Sequence, residues 1–429
     1  MPLVVLLKNK YCFIILFCLS IFDLPAQKLT YFDDIQPIIY KNCVSCHRTG
    51  HVAPFPLTTF EDVNKRALLI SRVTHERYMP PNPADPITMP DGTEVSPFKN
   101  VKLLTKEEIA AIDKWIAGGK KKGNEKMIVL NDTLSSAIRE PDMVLTLQKP
   151  FTIPGNNKEQ FRVFVIPTNA KEDLYVEGID FLPENRTLAH HCRFMLDTTN
   201  KLRSDDGIEV GATSEFQKLG IKMNDNFWHG WIPGNTAILY PAGTAKRLPK
   251  NADIVLNMHY SPSPKEVTEN SKILLYLAKT PPKRLVQTFI LEENSVSNDP
   301  FFIPKDTIIK FYQRSPIISF DLSLISITPH MHLLGQNFKA FAITPDGDLI
   351  NLIQISKWDF NWQMTYQFDK MLKIPKGSVI YAEAEYDNTV ANRRNPNNPT
   401  KDVGFGWGTK DEMMNLIFQY LDYQEGDEK

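Results

Sequence analysis

Apolar and polar positions fall into three successive patterns along the chain. An apolar run, Tyr11 to Phe22, comes first, with Lys8 and Lys10 ahead of it and Leu24-Pro25-Ala26 behind it. From Gln27 to Lys126 apolar residues recur at helical spacing. Thr30 caps a stretch whose first turn carries Asp33 and Asp34 and whose Tyr31, Ile35, Ile38 and Ile39 form one stripe. Thr105-Lys106-Glu107-Glu108 reads as a capping box before Ile109, Ile112, Trp115 and Ile116, and Gly118-Gly119 stops that helix. From Pro141 onward the period falls to two, as in Phe161-Arg162-Val163-Phe164-Val165-Ile166, with Pro, Gly and Asn clusters between short runs and no long helix. The pattern predicts a small all-α module over 27–126, a linker over 127–139, and two all-β sandwich domains over 140–282 and 283–429. The junction falls at Thr280-Pro281-Pro282-Lys283.

Composition agrees with that division. The 429 residues, 42% hydrophobic and 23% charged, suit about three globular domains, and a net charge of -1 gives no reason to expect nucleic acid. The first apolar run is too short to span a bilayer comfortably and precedes a small residue, so 1–26 reads as an export signal cleaved near Ala26. A periplasmic or secreted protein with no stable membrane span is the expectation. Bulky Phe17 before Cys18 does not suit lipoprotein processing. Cleavage removes Cys12 and Cys18 and leaves Cys43, Cys46 and Cys192, which excludes a disulfide scaffold.

Two of those cysteines stand in Cys43-Val44-Ser45-Cys46-His47, the spacing for covalent haem attachment. Two thiols three positions apart add to the two vinyl groups of one haem, while His47 reaches the iron from one side. A dithiol or zinc half-site is the bland alternative. For a second axial ligand the choice is Met79, in the stiff segment Tyr78-Met79-Pro80-Pro81, with Met89, His75 and His51 as alternatives. The module resembles a small class I cytochrome c carrying one haem c. Lys120-Lys121-Lys122 reads as the solvated end of its last helix, or a docking patch.

The remaining chemistry lies in the β region. In Pro329-His330-Met331-His332 two imidazoles two apart leave the same face of a strand and can chelate one ion. In Ile254 to Tyr260 the alternate residues Ile254, Leu256, Met258 and Tyr260 form an apolar face, which puts His259 on the other. His190 and His191 point apart on an ideal strand, so their joint use needs a bend. Three imidazoles suit copper or zinc, and a thioether beside two imidazoles, from Met413 or Met364, suits a soft ion such as Cu(I). His229 reads as structural.

Taken together, His190-His191, Leu256-Asn257-Met258-His259-Tyr260, His330-Met331-His332-Leu333-Leu334-Gly335 and Asp411-Glu412-Met413-Met414-Asn415-Leu416 resemble the copper type II, ascorbate-dependent monooxygenases. Pro241-Ala242-Gly243 and Asn395-Pro396-Asn397-Asn398-Pro399 add to the likeness, which covers Pro141 to Tyr423. The resemblance implies two jelly-roll-like sandwiches with one copper each, facing across a solvent-filled cleft. His190, His191 and His259 would hold the electron-relay copper, and His330, His332 and Met413 the copper where oxygen binds. It also implies an enzyme that uses O2, a small-molecule substrate and an electron donor, ascorbate or a redox protein, with the haem as a further electron entry. The family's peptide-processing members grip a carboxylate with an Arg and a Tyr where this chain has Thr328 and Ile417, so peptidylglycine is not the expected substrate. Asn257 likewise stands where the animal enzymes have Gln, and their disulfides are missing here. A non-enzymatic haem and copper electron-transfer or copper-handling protein is the alternative. A cytochrome fused to a β-rich binding module with incidental histidines is the third possibility.

Overall fold

The computed structural model describes residues 29–99, 101–126, 139–209, 227–233, 235, 237–406 and 408–429. The expected signal segment, and the linker apart from Arg139, lie outside them. No helix among the described residues is long and apolar enough to cross a membrane.

Thr30 opens the amino-terminal module as a cap: its side chain accepts from the Asp33 amide, and one π turn, Tyr31–Ile35, leads into helix α1, Gln36–Asn42. Helix α2, Phe60–His75, begins at a Thr59/Asp62 capping box, and α3, Lys106–Ala117, begins at the Thr105/Glu108 box. Only α2 has no counterpart among the expectations above. The apolar stripes meet in one core of Tyr31, Ile35, Ile39, Val63, Ile70, Ile112 and Trp115, and Trp115 Nε1 donates to the Lys121 carbonyl at 2.9 Å.

From Met143 the regular structure of the described chain is strand, apart from two 3-10 turns, Lys201–Asp205 and Glu293–Ser295. This is the mostly β architecture that sandwich domains require. Four strands carry the chemistry of the first unit: β1 (Gln160–Pro167), β2 (Ala189–Asp197), β3 (Phe227–Trp231) and β4 (Asp253–Tyr260), in the order β1-β4-β2-β3. They cover a second sheet built around Leu174–Leu182 and Lys272–Leu277, and Phe164, Phe181, Phe194, Leu256, Met258 and Tyr260 fill the space between. Four more strands form the matching sheet of the second unit: β5 (Gln287–Leu291), β6 (Leu322–His330), β7 (Tyr366–Ile374) and β8 (Asn415–Asp422), ordered β5-β8-β6-β7. Its core, with Leu324, Ile327, Met331, Phe338, Tyr386, Leu416 and Phe418, lies against the sheet of Gly335–Ile343 and Val379–Asp387.

Strand β4 is buried along its whole length, not on one face alone. Its core face is the expected one, while Val255 on the other face packs with Val163, Met195 and Leu202. Two small clusters join the units: Tyr240, Val286, Ile325 and Leu421, and Phe227, Ile290 and Ile417. The amino-terminal module is fastened to the second sandwich. Phe98 lies with Tyr366 and Phe368, ring centroids 5.0 Å away in each case, and the Asp85 amide donates to the Gln354 carbonyl at 2.8 Å.

Asp427 ties the last turn to the junction between the sandwiches. Its carboxylate accepts from Arg284 at 2.6 and 2.7 Å and from Ser323 Oγ at 2.6 Å. Burial raises its pKa, yet these bonds hold the carboxyl down at about 2. The folded pKa thus lies below the unfolded value of about 3.9, so the contribution is present above about pH 4 and is lost as pH falls towards 2. Urea melts across that interval should show the midpoint falling, and Asp427→Asn should be less stable at neutral pH with a shallower fall. An identical pH dependence in the variant would contradict the assignment.

Candidate metal centres

The three-histidine cluster depends on a single irregularity in the ladder. Along β4 and β2, His259 pairs with His191, but the next residue, Tyr260, pairs with Ala189, so His190 is the extra residue of a β-bulge. Ala189 and Cys192 both face the core, and the two histidines between them leave by the opposite face. The bend that adjacent histidines need is therefore built into the strand. His190 Nδ1 and His191 Nδ1 stand 3.1 Å apart, and with His259 the ligand atoms lie within 4.8 Å of one another.

Phe161 stacks on His259 with centroids 4.2 Å apart and planes 10° from parallel, fixing that ring. Nδ1 of His259 is buried without a hydrogen-bond partner, an orphaned polar atom of the kind a bound ion would satisfy. Glu159 Oε1 lies 3.4 Å from His259 Nε2, and its other oxygen accepts from Thr409 Oγ1 at 3.3 Å across the domain boundary. Burial, then the charge of His259, brings His190 down to about 4 and holds His191 well below the usual histidine range. Neutral imidazoles are the ligand form.

The second cluster forms where β6 ends. Register pairs Thr328 with Ile417 and His330 with Asn415, so these side chains share the outer face of the sheet, turned towards the first sandwich. His332 follows two residues on, its ring centroid 5.1 Å from that of His330. His332 Nδ1 donates to the Asp411 carbonyl at 2.9 Å, which puts the ring proton on Nδ1. Glu412 anchors the whole corner: one carboxylate accepts from the amides of His332 at 2.8 Å, Leu334 at 2.6 Å and Met413 at 3.2 Å. Burial pushes that carboxyl up to about 8, while the three amides favour the anion. Met413 is buried and its carbonyl accepts from Tyr386 Oη at 2.8 Å. Met364 instead packs against the core of the second sandwich.

A solvent-filled cleft between the clusters was the expectation, and the structure brings side chains of the two sheets into direct contact within that space. Arg193 Nη2 donates to His330 Nε2 at 2.7 Å, directly from one sheet to the other. Phe360 stacks on His190 at 5.4 Å and meets His332 edge-on at 5.9 Å. Apolar contact between the outer faces, at Phe227, Ile290 and Ile417, draws the sheets together. A cavity of about 50 Å³ remains, lined by His191, Arg193, Phe227, Trp231, Thr328, His330 and Ile417 among others. An ion taking Nε2 of His330 would have to displace the Arg193 hydrogen bond.

In the amino-terminal module Cys43 caps α1, and its thiol, like that of Cys46, is unbridged. His47 Nδ1 donates to the Phe55 carbonyl at 3.0 Å, which orients the ring and leaves Nε2 for a ligand bond. These three residues lie together in the turns that follow α1. Met79 is half-buried just past α2, while Met89 is exposed. His75 Nε2 is engaged with Asp113 at 2.7 Å, between α2 and α3. His229 is buried against Phe194 at 5.2 Å and brought down to about 3 by burial, in keeping with a structural part.

Four residues of the site were not foreseen: Glu159, Arg193, Phe360 and Glu412. Alternation offered a signal for Arg193, which lies two residues after His191 on the same face. The others depend on contacts between distant segments.

Residues 303–427 match the family model described as copper type II ascorbate-dependent monooxygenase, C-terminal domain. That match supports this family, and with it a copper-dependent monooxygenase class, for the sandwich that holds His330, His332 and Met413. No curated protein matches the chain. Among solved structures, the major capsid protein P2 of bacteriophage PM2 is 10% identical, with 66% of this chain and 98% of that chain covered and a TM-score of 0.26. Peptide:N-glycanase F is 8% identical over 65% of this chain and 94% of that chain, TM-score 0.27. Likeness this slight carries no argument about fold or function.

Glu412→Gln keeps the shape but replaces one accepting oxygen by an amide group. Each amide left without an acceptor costs about 1–3 kcal/mol. The melting temperature should fall by about 3–10 °C, and copper bound at the His330 cluster should weaken while the three-histidine cluster keeps its own. Equal loss from both clusters, measured by chelator competition, would contradict the anchoring role.

Proposed function

We propose that the protein is a dicopper monooxygenase that hydroxylates a C–H bond of a small substrate, with electrons entering through a covalently bound haem c, ascorbate or both. In balance, R–H, O2, two electrons and two protons give R–OH and water. His190, His191 and His259 would hold one copper, His330, His332 and Met413 the other, and Cys43, Cys46, His47 and Met79 the haem. The observation that carries this reading is the meeting of two imidazole sets on facing sheets, His190, His191 and His259 on one and His330 and His332 on the other. The family match over 303–427 supports it for the second set. The reading places the protein in the periplasm or outside the cell, where the amino-terminal run would direct it.

Bound copper would supply oxygen binding and one-electron exchange, chemistry that no side chain provides. The chain's own residues do the rest. Asp411 fixes the tautomer of His332 through its carbonyl, and Glu412 fixes the backbone on either side of the soft site. Phe161 and Phe360 clamp the planes of His259 and His190.

The test is oxygen consumption by reduced, copper-loaded protein with labelled O2 and a pool of metabolites, followed by a search for labelled product. Wild type should consume oxygen and label one product class, and Met413→Ile should abolish both while the haem spectrum stays intact. Reduction of the coppers through the haem in stopped flow is the expected second result. Copper uptake without oxygen consumption would instead favour an electron-transfer or copper-handling role.

A further inference from the structure

We propose that the cavity between the sandwiches binds a small carboxylate substrate through the guanidinium of Arg193. This rests on the function proposed above and gives that site its substrate class. The cavity has the right position, since His191 of one cluster and His330 of the other both line it, so whatever lies there touches both centres. It also has the right charge. Arg193 is the only cation among the described lining residues, and no Asp or Glu is among them. An anion is attracted into such a space and an ammonium group is repelled.

Arg193 reaches the cavity because it follows His191 by two positions on the outer face of β2, opposite Cys192 and Phe194 in the core. It is partly buried in the layer between the two sheets and lines the cavity. A guanidinium presents its N–H donors in a planar fork, and a carboxylate is the small anion whose two oxygens match that fork. The hydroxyl pair Thr328 and Thr365, 2.9 Å apart, and the Gln363 amide offer further polar contacts on the facing wall. Phe227, Trp231, Ile232 and Ile417 make the remaining wall apolar.

Size narrows the class. About 50 Å³ holds the equivalent of about three or four waters, enough for a carboxylate with a short stem. Since Arg193 itself touches His330, the carbon presented to that cluster lies close to the carboxylate. Thr328 and Ile417 carry no positive charge to pair with an anion, so the charged anchor comes from the first sandwich, not from the strands that carry the second cluster.

Calorimetric titration of the copper-loaded full chain with acetate and with isopropylamine, alike in size and opposite in charge, tests the proposal. Acetate should bind and isopropylamine should not. Arg193→Gln should weaken acetate about tenfold or more with copper content unchanged, and Arg193→Lys should fall between. Equal binding of isopropylamine, full retention of acetate by Arg193→Gln, or no binding of either probe to wild type would each overturn it. Copper content is measured separately: if wild type takes up fewer than two ions, the proposed function fails, while the charge preference of the metal-free chain still decides this inference.

Discussion

Contact between the outer faces of two sheets is the constraint on which the rest of the structure depends. Each sandwich is already complete around its own core, and neither gains a core by meeting the other. What the meeting adds is a second buried layer, in which Phe227, Ile290 and Ile417 at one place and Tyr240, Val286, Ile325 and Leu421 at another leave water. At about 1.5–3 kcal/mol for each large apolar side chain fully buried, these contacts are enough to carry polar passengers. Lys246 is one: its ammonium is buried between the units, donating to the Trp228 carbonyl at 2.6 Å and Thr288 Oγ1 at 2.9 Å, and burial brings it down to about 7. The histidines and Arg193 are the others.

Once the faces meet, strand register decides which side chains share the layer. Alternation sends Thr328 and His330 from β6 and Ile417 from β8 to the same side as Asn415. A bulge does for β2 what alternation alone cannot, placing His190 beside His191. Local hydrogen bonds then fix ring orientation and tautomer, through Asp411 for His332 and through Phe55 for His47. Backbone geometry thus selects the donors, and their neighbours select which nitrogen faces outward.

Much of this was legible in the sequence because it follows from short-range periodicity. The Thr30 and Thr105 caps, the stripe ending in Trp115 and the apolar face of Ile254 to Tyr260 need only neighbours three or four residues apart, or two, to be recognised. The pairing of His330 with His332 is of the same kind. Helix α2 was missed because its buried positions, Val63, Ala67, Ile70 and Thr74, are interleaved with exposed Leu68 and Leu69, which blur the stripe. The adjacent histidines 190 and 191 stated a conflict without its resolution, since whether a strand bulges is set by its partner. The closed approach of the sheets, with Arg193 on His330 and Phe360 against both clusters, arises from residues far apart in the chain, for which no local pattern exists.

On the function proposed above, one folded chain would assemble two unlike copper sites, only one of which includes sulfur. X-ray absorption at the copper edge of the fully reduced, loaded protein tests it most directly. Two ions per chain are expected, with nitrogen scattering from both and a sulfur shell of half occupancy that disappears in Met413→Ile. A single ion per chain, or a spectrum of nitrogen scatterers alone that the substitution leaves unchanged, would contradict it.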